Sequence, residues 1–104
     1  MIESAAGVAA IPEIAAIPGI DMLFLGPLDL SADFGTYGDL THPDLRAAIT
    51  SAERAILQSG AMLSGALLPG DTPSAAFARG YRLVTGASDV GLLLGAARTA
   101  AAAR

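Results

Sequence analysis

Two carboxylates, Glu3 and Asp29, are the residues best placed for chemistry, because each follows a short apolar run. Carboxylate oxygens are hard ligands that suit Mg²⁺ or Mn²⁺, and a pair of them leaves coordination positions for substrate oxygens and water. Asp29 comes shortly after Gly26-Pro27. Glycine lets a ligand approach the backbone closely, and proline suits the first turn of a helix. The pattern therefore predicts a divalent-cation site beside this turn.

The same turn has the features of an anion site. If a helix begins here, the backbone N–H groups of Leu28, Asp29 and Leu30 lack helical partners and point into open space. N–H donors beside a carboxylate suit an anion that a divalent cation bridges to the protein. The alternative interpretation is that Asp29 only caps a helix beginning at Leu30.

The composition excludes several other chemistries. The 104 residues include no cysteine and no lysine, so the chain offers neither a thiolate nucleophile nor a Schiff-base amine. Carbonyl chemistry here would have to stabilise an enolate with a metal ion. The one histidine, His42, stands at a predicted helix start, where Thr41 and Asp44 are spaced as a capping box. We interpret His42 as a solvated loop residue and not as a ligand or base.

Charge and hydropathy restrict the partners and the location. The net charge is −4, and the six cationic side chains are dispersed arginines, so no basic stripe favours nucleic acid. No apolar stretch reaches the roughly 18 residues needed to cross a bilayer. The N-terminus lacks the basic start and long apolar segment of a signal peptide. We expect a cytoplasmic protein that binds neither nucleic acid nor membranes.

Repeated strand, turn and helix patterns position the two carboxylates. Apolar runs begin near residues 1, 20, 61 and 81. The run from Ile20 to Leu25 is typical of a strand buried on both faces, and Pro43 to Ser59 is the clearest amphipathic helix, ended by Gly60. The repetition predicts an α/β fold with a parallel sheet and helical crossovers.

The remaining elements are shorter. We predict a broken helix over Gly7 to Ala16, strands over Ala61 to Leu68 and Tyr81 to Thr85, a helix over Pro73 to Arg79 capped by Thr72 or Asp71, and a last helix from Asp89 to about Ala103 capped by Ser88. Ligands of such sheets bind at the carboxyl ends of the strands. Glu3 and Asp29 should therefore stand near each other on one rim.

Several segments together resemble a known family. The metal-dependent pyruvate aldolases of the HpcH/HpaI aldolase/citrate lyase family, such as 4-hydroxy-2-oxoheptanedioate aldolase and 2-dehydro-3-deoxyglucarate aldolase, are similar in five places: Ile2-Glu3, Pro18 to Asp21, Phe24 to Ser31, His42-Pro43 and Ser88 to Leu93. The resemblance covers essentially the whole chain. It implies that residues 1–104 are a single partial domain, the C-terminal half of a (β/α)₈ TIM barrel from strand 5 to helix 8, with about four βα units.

The resemblance also implies an activity. Glu3 and Asp29 would hold a divalent cation, Mg²⁺, Mn²⁺ or Co²⁺, and the reaction would be the reversible cleavage of a 4-hydroxy-2-oxo acid to pyruvate and an aldehyde. The N–H groups of Leu28 and Asp29 would hold the pyruvate carboxylate. The implied substrate-binding residues are Gly26, Pro27, Leu28, Asp29 and Leu67, with Leu68 beside Leu67 in an apolar wall near the aldehyde.

The chain departs from the family pattern at Met1 and at Leu28. Met1 stands where the family usually has a glutamine, and Leu28 stands where alanine is usual, which would narrow the pocket. The arginine and histidine that the family uses on the oxyanion and in proton transfer belong to the first half of the barrel. His42 does not correspond to that histidine, so no catalytic residue is assigned in this chain.

Three interpretations stay open. The first is the metal-binding half of an aldolase, whose isolated chain is inactive. The second is a non-catalytic half-barrel that needs a partner chain. The third, which we rank lowest, is an acyl-CoA lyase, because no arginine cluster indicates a CoA pocket. The expected partners are pyruvate and aldehyde substrates, and either further copies of the chain in a homo-oligomer or a complementing N-terminal half-barrel.

Overall fold

The computed structural model describes residues 1–103 and has an α/β fold. One parallel sheet contains, in spatial order, β1 (Met22–Leu25), β2 (Met62–Ala66) and β3 (Tyr81–Thr85). The helices are α1 (Ala5–Ala9), α2 (Ile11–Ala15), α3 (Pro27–Asp33), α4 (Pro43–Ser59), α5 (Pro73–Ala78) and α6 (Asp89–Ala102). The predicted parallel sheet with helical crossovers is confirmed.

The first apolar run contributes one residue to the sheet. Ile2 pairs in parallel with Leu25 at the end of β1. The Ile2 N–H donates to the Phe24 carbonyl at 2.8 Å, and the Gly26 N–H donates to the Ile2 carbonyl at 3.0 Å. Glu3 therefore follows this bridge at the same edge of the sheet at which Gly26 follows β1.

The prediction that β1 is buried on both faces is wrong for the described residues. Leu23 and Leu25 are buried in the core, whereas Met22 and Phe24 are only half-buried. Burial alternates because the helices cover the face that carries Leu23 and Leu25. The strand also begins at Met22, later than predicted, because the Ile20 N–H donates to Ile17 in a turn.

Helix α4 provides the largest share of the core on the covered face. Its buried side chains recur at helical spacing: Leu45, Ile49, Ala52 and Ile56. They pack against Leu23, Leu25 and Leu63 of the sheet. The helix ends as predicted at Gly60, whose φ of +83° is favourable for glycine. This packing holds α4 against the sheet, and the turn that leads into α3 follows the carboxyl end of β1.

The predicted capping box at the start of α4 is wrong. His42 is the N-cap, and its Nδ1 accepts a hydrogen bond from the Asp44 N–H at 3.3 Å. Thr41 instead donates its hydroxyl to Asp39 Oδ1 at 2.6 Å. The cap lies one residue later because Pro43, with its fixed φ, is the first residue of the helix. His42 thus has a structural contact in the described part of the chain.

The last helix, α6, is exposed along its whole described length. Ser88 caps it as predicted, accepting from the Gly91 N–H at 3.0 Å, but no residue of α6 is buried. Val90, Leu92 and Leu93 are 70%, 64% and 74% exposed. Within residues 1–103, no helix combines the length and apolar character needed to cross a membrane.

Candidate metal and substrate site

The turn after β1 is built by Gly26 and Pro27. Gly26 is the N-cap of α3, and Pro27 is its first residue. Asp29 lies in the first turn of this helix, so the alternative in which Asp29 caps a helix beginning at Leu30 is wrong. Proline favours the earlier start because its fixed φ suits a first helical position.

Two of the three predicted N–H donors are free of partners in the described chain. The Leu30 N–H donates to the Gly26 carbonyl at 3.0 Å and is therefore used. No acceptor within residues 1–103 bonds the N–H of Leu28 or Asp29. Both residues are exposed, with Leu28 at 46%. The turn thus has two adjacent backbone donors without an acceptor in the described chain.

The side chain of Glu3 lies directly over this turn. A Cβ atom added to Gly26 would stand 2.9 Å from Glu3 Cγ and 3.3 Å from Glu3 Oε1. Such distances leave no room for a side chain, so glycine at this position is what lets Glu3 lie here. The structure therefore brings the Glu3 carboxylate to the turn whose next helical residues include Asp29.

Glu3 and Asp29 supply hard carboxylate oxygens at one turn, which is the ligand type that a divalent cation with open coordination positions takes. Within residues 1–103, no group of three or more His, Asp or Glu side chains is arranged to hold a metal ion. A cation at this turn would take Glu3 and Asp29 as protein ligands and complete its shell with substrate oxygens and water. Mg²⁺ characteristically binds in this way.

Ser31 holds the loop that follows α3 against this helix through hydrogen bonds. Its side chain is fully buried, and its hydroxyl donates to the Leu28 carbonyl at 2.6 Å and accepts from the Gly38 N–H at 3.1 Å. The Thr36 N–H also donates to the Ser31 carbonyl at 2.8 Å. The serine of the Asp-Leu-Ser motif therefore has a structural function beside the turn.

The predicted apolar wall is divided between the surface and the core. Both leucines follow the carboxyl end of β2. Leu68 is 8% exposed and belongs to the hydrophobic core. Leu67 is half-buried and packs against that core. Of the two, Leu67 is the one with side-chain surface left to meet a substrate.

An ionic network elsewhere was not predicted from the sequence. Arg79 donates to both carboxylate oxygens of Asp71, with Nη1 to Oδ1 at 3.1 Å, and its Nε lies 3.6 Å from Glu53 Oε1. The Tyr81 hydroxyl donates to the same Glu53 oxygen at 2.8 Å. These groups lie beside a cleft of about 420 Å³ between α4 and the loop after β2. The one sequence signal is that Asp71 and Arg79 flank the two ends of a short helix.

The charges of this network are paired with one another. The hydrogen bond from Arg79 holds the pKa of Asp71 below its usual value. Burial, followed by the hydrogen bond to Glu53, raises the pKa of Tyr81. Because each charged group already has a partner of opposite sign, we interpret the network as a structural contact that joins α4, α5 and β3.

Comparisons with known proteins find sequences and structures similar to nearly the whole chain. The family model for HpcH/HpaI aldolase/citrate lyase matches residues 1–96. The hydroxypyruvate/pyruvate aldolase of Paraburkholderia phytofirmans is 40% identical over 101 residues, which are 95% of this chain and 38% of that protein. The 2-dehydro-3,6-dideoxy-6-sulfogluconate aldolase of Pseudomonas putida is 38% identical over 96 residues, 89% of this chain and 36% of that protein.

A solved structure agrees with the fold as well. The crystal structure of an HpcH/HpaI aldolase/citrate lyase family protein from Burkholderia cenocepacia superposes with a TM-score of 0.79 and 44% identity, over 95% of this chain and 38% of that one. The chain thus spans less than half the length of these relatives. Because the family model matches nearly all residues of this chain, the chain belongs to the HpcH/HpaI aldolase/citrate lyase family.

Proposed function

We propose that Glu3 and Asp29 are the protein ligands of a divalent cation, Mg²⁺, Mn²⁺ or Co²⁺, in a pyruvate aldolase. The observation that carries the proposal is the position of the Glu3 side chain over Gly26, at the turn that leads into Asp29. The relatives' names support the activity, since both are aldolases. The reaction is the reversible cleavage of a 4-hydroxy-2-oxo acid to pyruvate and an aldehyde.

Each residue of the turn has a distinct part in binding. The free N–H groups of Leu28 and Asp29 donate to the pyruvate carboxylate, Gly26 keeps the backbone accessible, and Pro27 fixes the start of the helix. Leu67 contacts the aldehyde. When bound, the divalent cation supplies a Lewis acid that stabilises negative charge developing on the substrate oxo oxygen.

The chain supplies part of the proposed enzyme. Because it covers 38% of the Paraburkholderia relative, we propose that residues 1–104 form the second half of a (β/α)₈ barrel, from strand 5 to helix 8. The groups that transfer protons then lie outside these residues, and the isolated chain is inactive. A complementing half-barrel or further copies of the chain complete the assembly.

Metal binding tests the proposal directly. In the protein that contains this chain, Mn²⁺ should bind together with oxalate, a mimic of the pyruvate enolate, as followed by electron paramagnetic resonance. Asp29→Asn and Glu3→Gln should each abolish this binding, because each removes one of two charged protein ligands. Asp39→Asn is the matched control, since the Asp39 carboxylate is exposed and accepts its hydrogen bonds from Thr41. Unchanged Mn²⁺ binding in the Asp29 variant would refute the assignment.

A second candidate function is a non-catalytic half-barrel that binds a partner. The observation in its favour is the exposed apolar surface: Leu83 in β3 is 45% exposed, and Val90 and Leu93 in α6 are more exposed still. The same Mn²⁺ titration separates the two candidates, because a binding module has no need of the two carboxylates.

A further inference from the structure

A carboxylate outside the proposed ligand set joins the Glu3 segment to α3. Asp33 is the last residue of α3, and its Oδ2 accepts a hydrogen bond from the Ala5 N–H at 2.7 Å. Ala5 is the first residue of α1 and follows Glu3 by two positions. A hydrogen bond to an ionised carboxylate is stronger than a neutral one. The bond joins two parts of the chain that lie 28 residues apart.

The segment that carries Glu3 is held on both sides. Before Glu3, the backbone of Ile2 bonds to Phe24 and Gly26 at 2.8 and 3.0 Å. After Glu3, the bond from Ala5 to Asp33 fixes the segment to the other end of the helix that carries Asp29.

Asp29 and Asp33 are four residues apart on one helix, so they are one turn from each other. The spacing between the two proposed ligands depends on both attachments.

We propose that Asp33 is a positioning residue for the cation site: it holds the backbone at Ala5 so that Glu3 stays over Gly26, at the start of the helix that carries Asp29. The inference rests on the proposed function, because it assumes that Glu3 and Asp29 bind the cation. Partners that orient a ligand in this way typically change metal affinity about 10- to 100-fold when they are removed. Without Asp33, Glu3 samples more positions, and binding has to order it.

Three variants of the protein that contains this chain test the inference through the Mn²⁺ dissociation constant, measured without substrate. Asp33→Ala removes the acceptor and should weaken Mn²⁺ binding about 10-fold. Asp33→Asn keeps an oxygen acceptor without the charge and should restore most of the affinity. Asp39→Ala is the matched control, because it removes an exposed carboxylate that accepts from Thr41 instead of from the Glu3 segment.

A second measurement reports on the segment itself. Hydrogen exchange of the peptide covering residues 1–9 should be faster in Asp33→Ala than in the wild type and should return towards the wild-type rate in Asp33→Asn. If Asp33→Ala does not fold, the asparagine variant still reports, because weak Mn²⁺ binding by a folded Asp33→Asn protein would show that the charge and not the hydrogen bond matters. That result would overturn the inference.

Two further outcomes separate this inference from the proposed function. If Glu3→Gln abolishes Mn²⁺ binding while Asp33→Ala binds as the wild type does, the cation site stands and the positioning role of Asp33 is refuted. If the wild type and Glu3→Gln bind Mn²⁺ equally, the cation site itself is refuted and the role of Asp33 with it. An equal loss in Asp39→Ala would indicate a general effect of surface charge and would also overturn the inference.

Discussion

At the scale of single residues, Gly26 is the position at which one added methyl group should disrupt the proposed site. Its φ of −102° is accessible to any residue, so Gly26→Ala does not strain the backbone. The added Cβ would meet Glu3 Cγ at 2.9 Å and displace the Glu3 side chain from the turn. We expect Mn²⁺ affinity to fall at least about 10-fold, as for loss of a ligand-orienting contact. Calorimetric titration with Mn²⁺ measures this change.

Gly86 provides the matched control for this substitution. A Cβ at Gly86 meets no atom within 4 Å, so Gly86→Ala adds the same methyl group without a clash. It should leave Mn²⁺ affinity unchanged. An equal affinity in Gly26→Ala and Gly86→Ala would show that Glu3 does not need its place over the turn.

The sequence predicts single residues well where their function is local. The caps Thr72 and Ser88 and the left-handed Gly60 are all confirmed, because each depends on neighbours within a few positions. The capping role of His42 was missed because Thr41 and Asp44 have capping-box spacing, whereas a helix that begins at Pro43 takes the preceding residue as its cap. The bond from Ala5 to Asp33 was also missed, since it joins segments distant in sequence. For Glu3 the sequence predicted the rim it shares with this turn but not its contact with Gly26.

At the scale of elements, the order and type of helices and strands were predictable from apolar periodicity and from Gly and Pro at the turns. The helix over Pro43–Ser59 and the strand over Tyr81–Thr85 have the predicted bounds. Burial was harder to predict than type. An apolar run such as Met22–Leu25 has the same composition whether one face or both are covered, and only the arrangement of the helices decides.

The contact across α5 gives an element-scale prediction for pH. Asp71 precedes the helix, Arg79 follows it, and their hydrogen bond lowers the pKa of Asp71. A lowered folded-state pKa adds stability that is complete above the unfolded value of about 4 and is lost as the pH falls through the folded value. In Asp71→Asn, the free energy of unfolding should therefore decrease less steeply than in the wild type as the pH falls.

Urea unfolding over a series of acidic pH values measures this effect. Arg79→Met should reduce the pH dependence of the free energy of unfolding in the same way, because the guanidinium is the main cause of the lowered pKa of Asp71. Since the Arg79 side chain is 40% exposed, the effect should shrink in high salt. If both variants keep the acid slope of the wild type, Asp71 does not contribute to it.

At the scale of the whole molecule, exposed apolar surface predicts association. The described chain extends over 55 × 28 × 22 Å, and none of the α6 residues in it is buried. Large apolar side chains exposed together on a helix typically indicate an interface, and an open strand edge can pair with another chain. The 104-residue chain should therefore elute with a mass greater than that of one copy when light scattering is measured after size-exclusion chromatography.

Substitutions in α6 identify the surface responsible. Val90→Ser combined with Leu93→Ser should reduce the measured mass, because these side chains are 70% and 74% exposed. Ala97→Ser, a small polar change on the same helix, should leave the mass unchanged. A wild-type chain that stays a single monodisperse copy and unfolds cooperatively would contradict the prediction.

Leu28 has an exposed side chain, and in the proposed site its backbone and its side chain have different functions. In the proposed site, the backbone N–H of this residue holds the part of the substrate that is common to all 2-oxo acids, while its side chain, 46% exposed, remains free to vary. In that proposed site, a substitution of this side chain would change the shape of the pocket without removing a donor. New substrate ranges can therefore evolve through one surface position, with the chemistry of the site inherited unchanged.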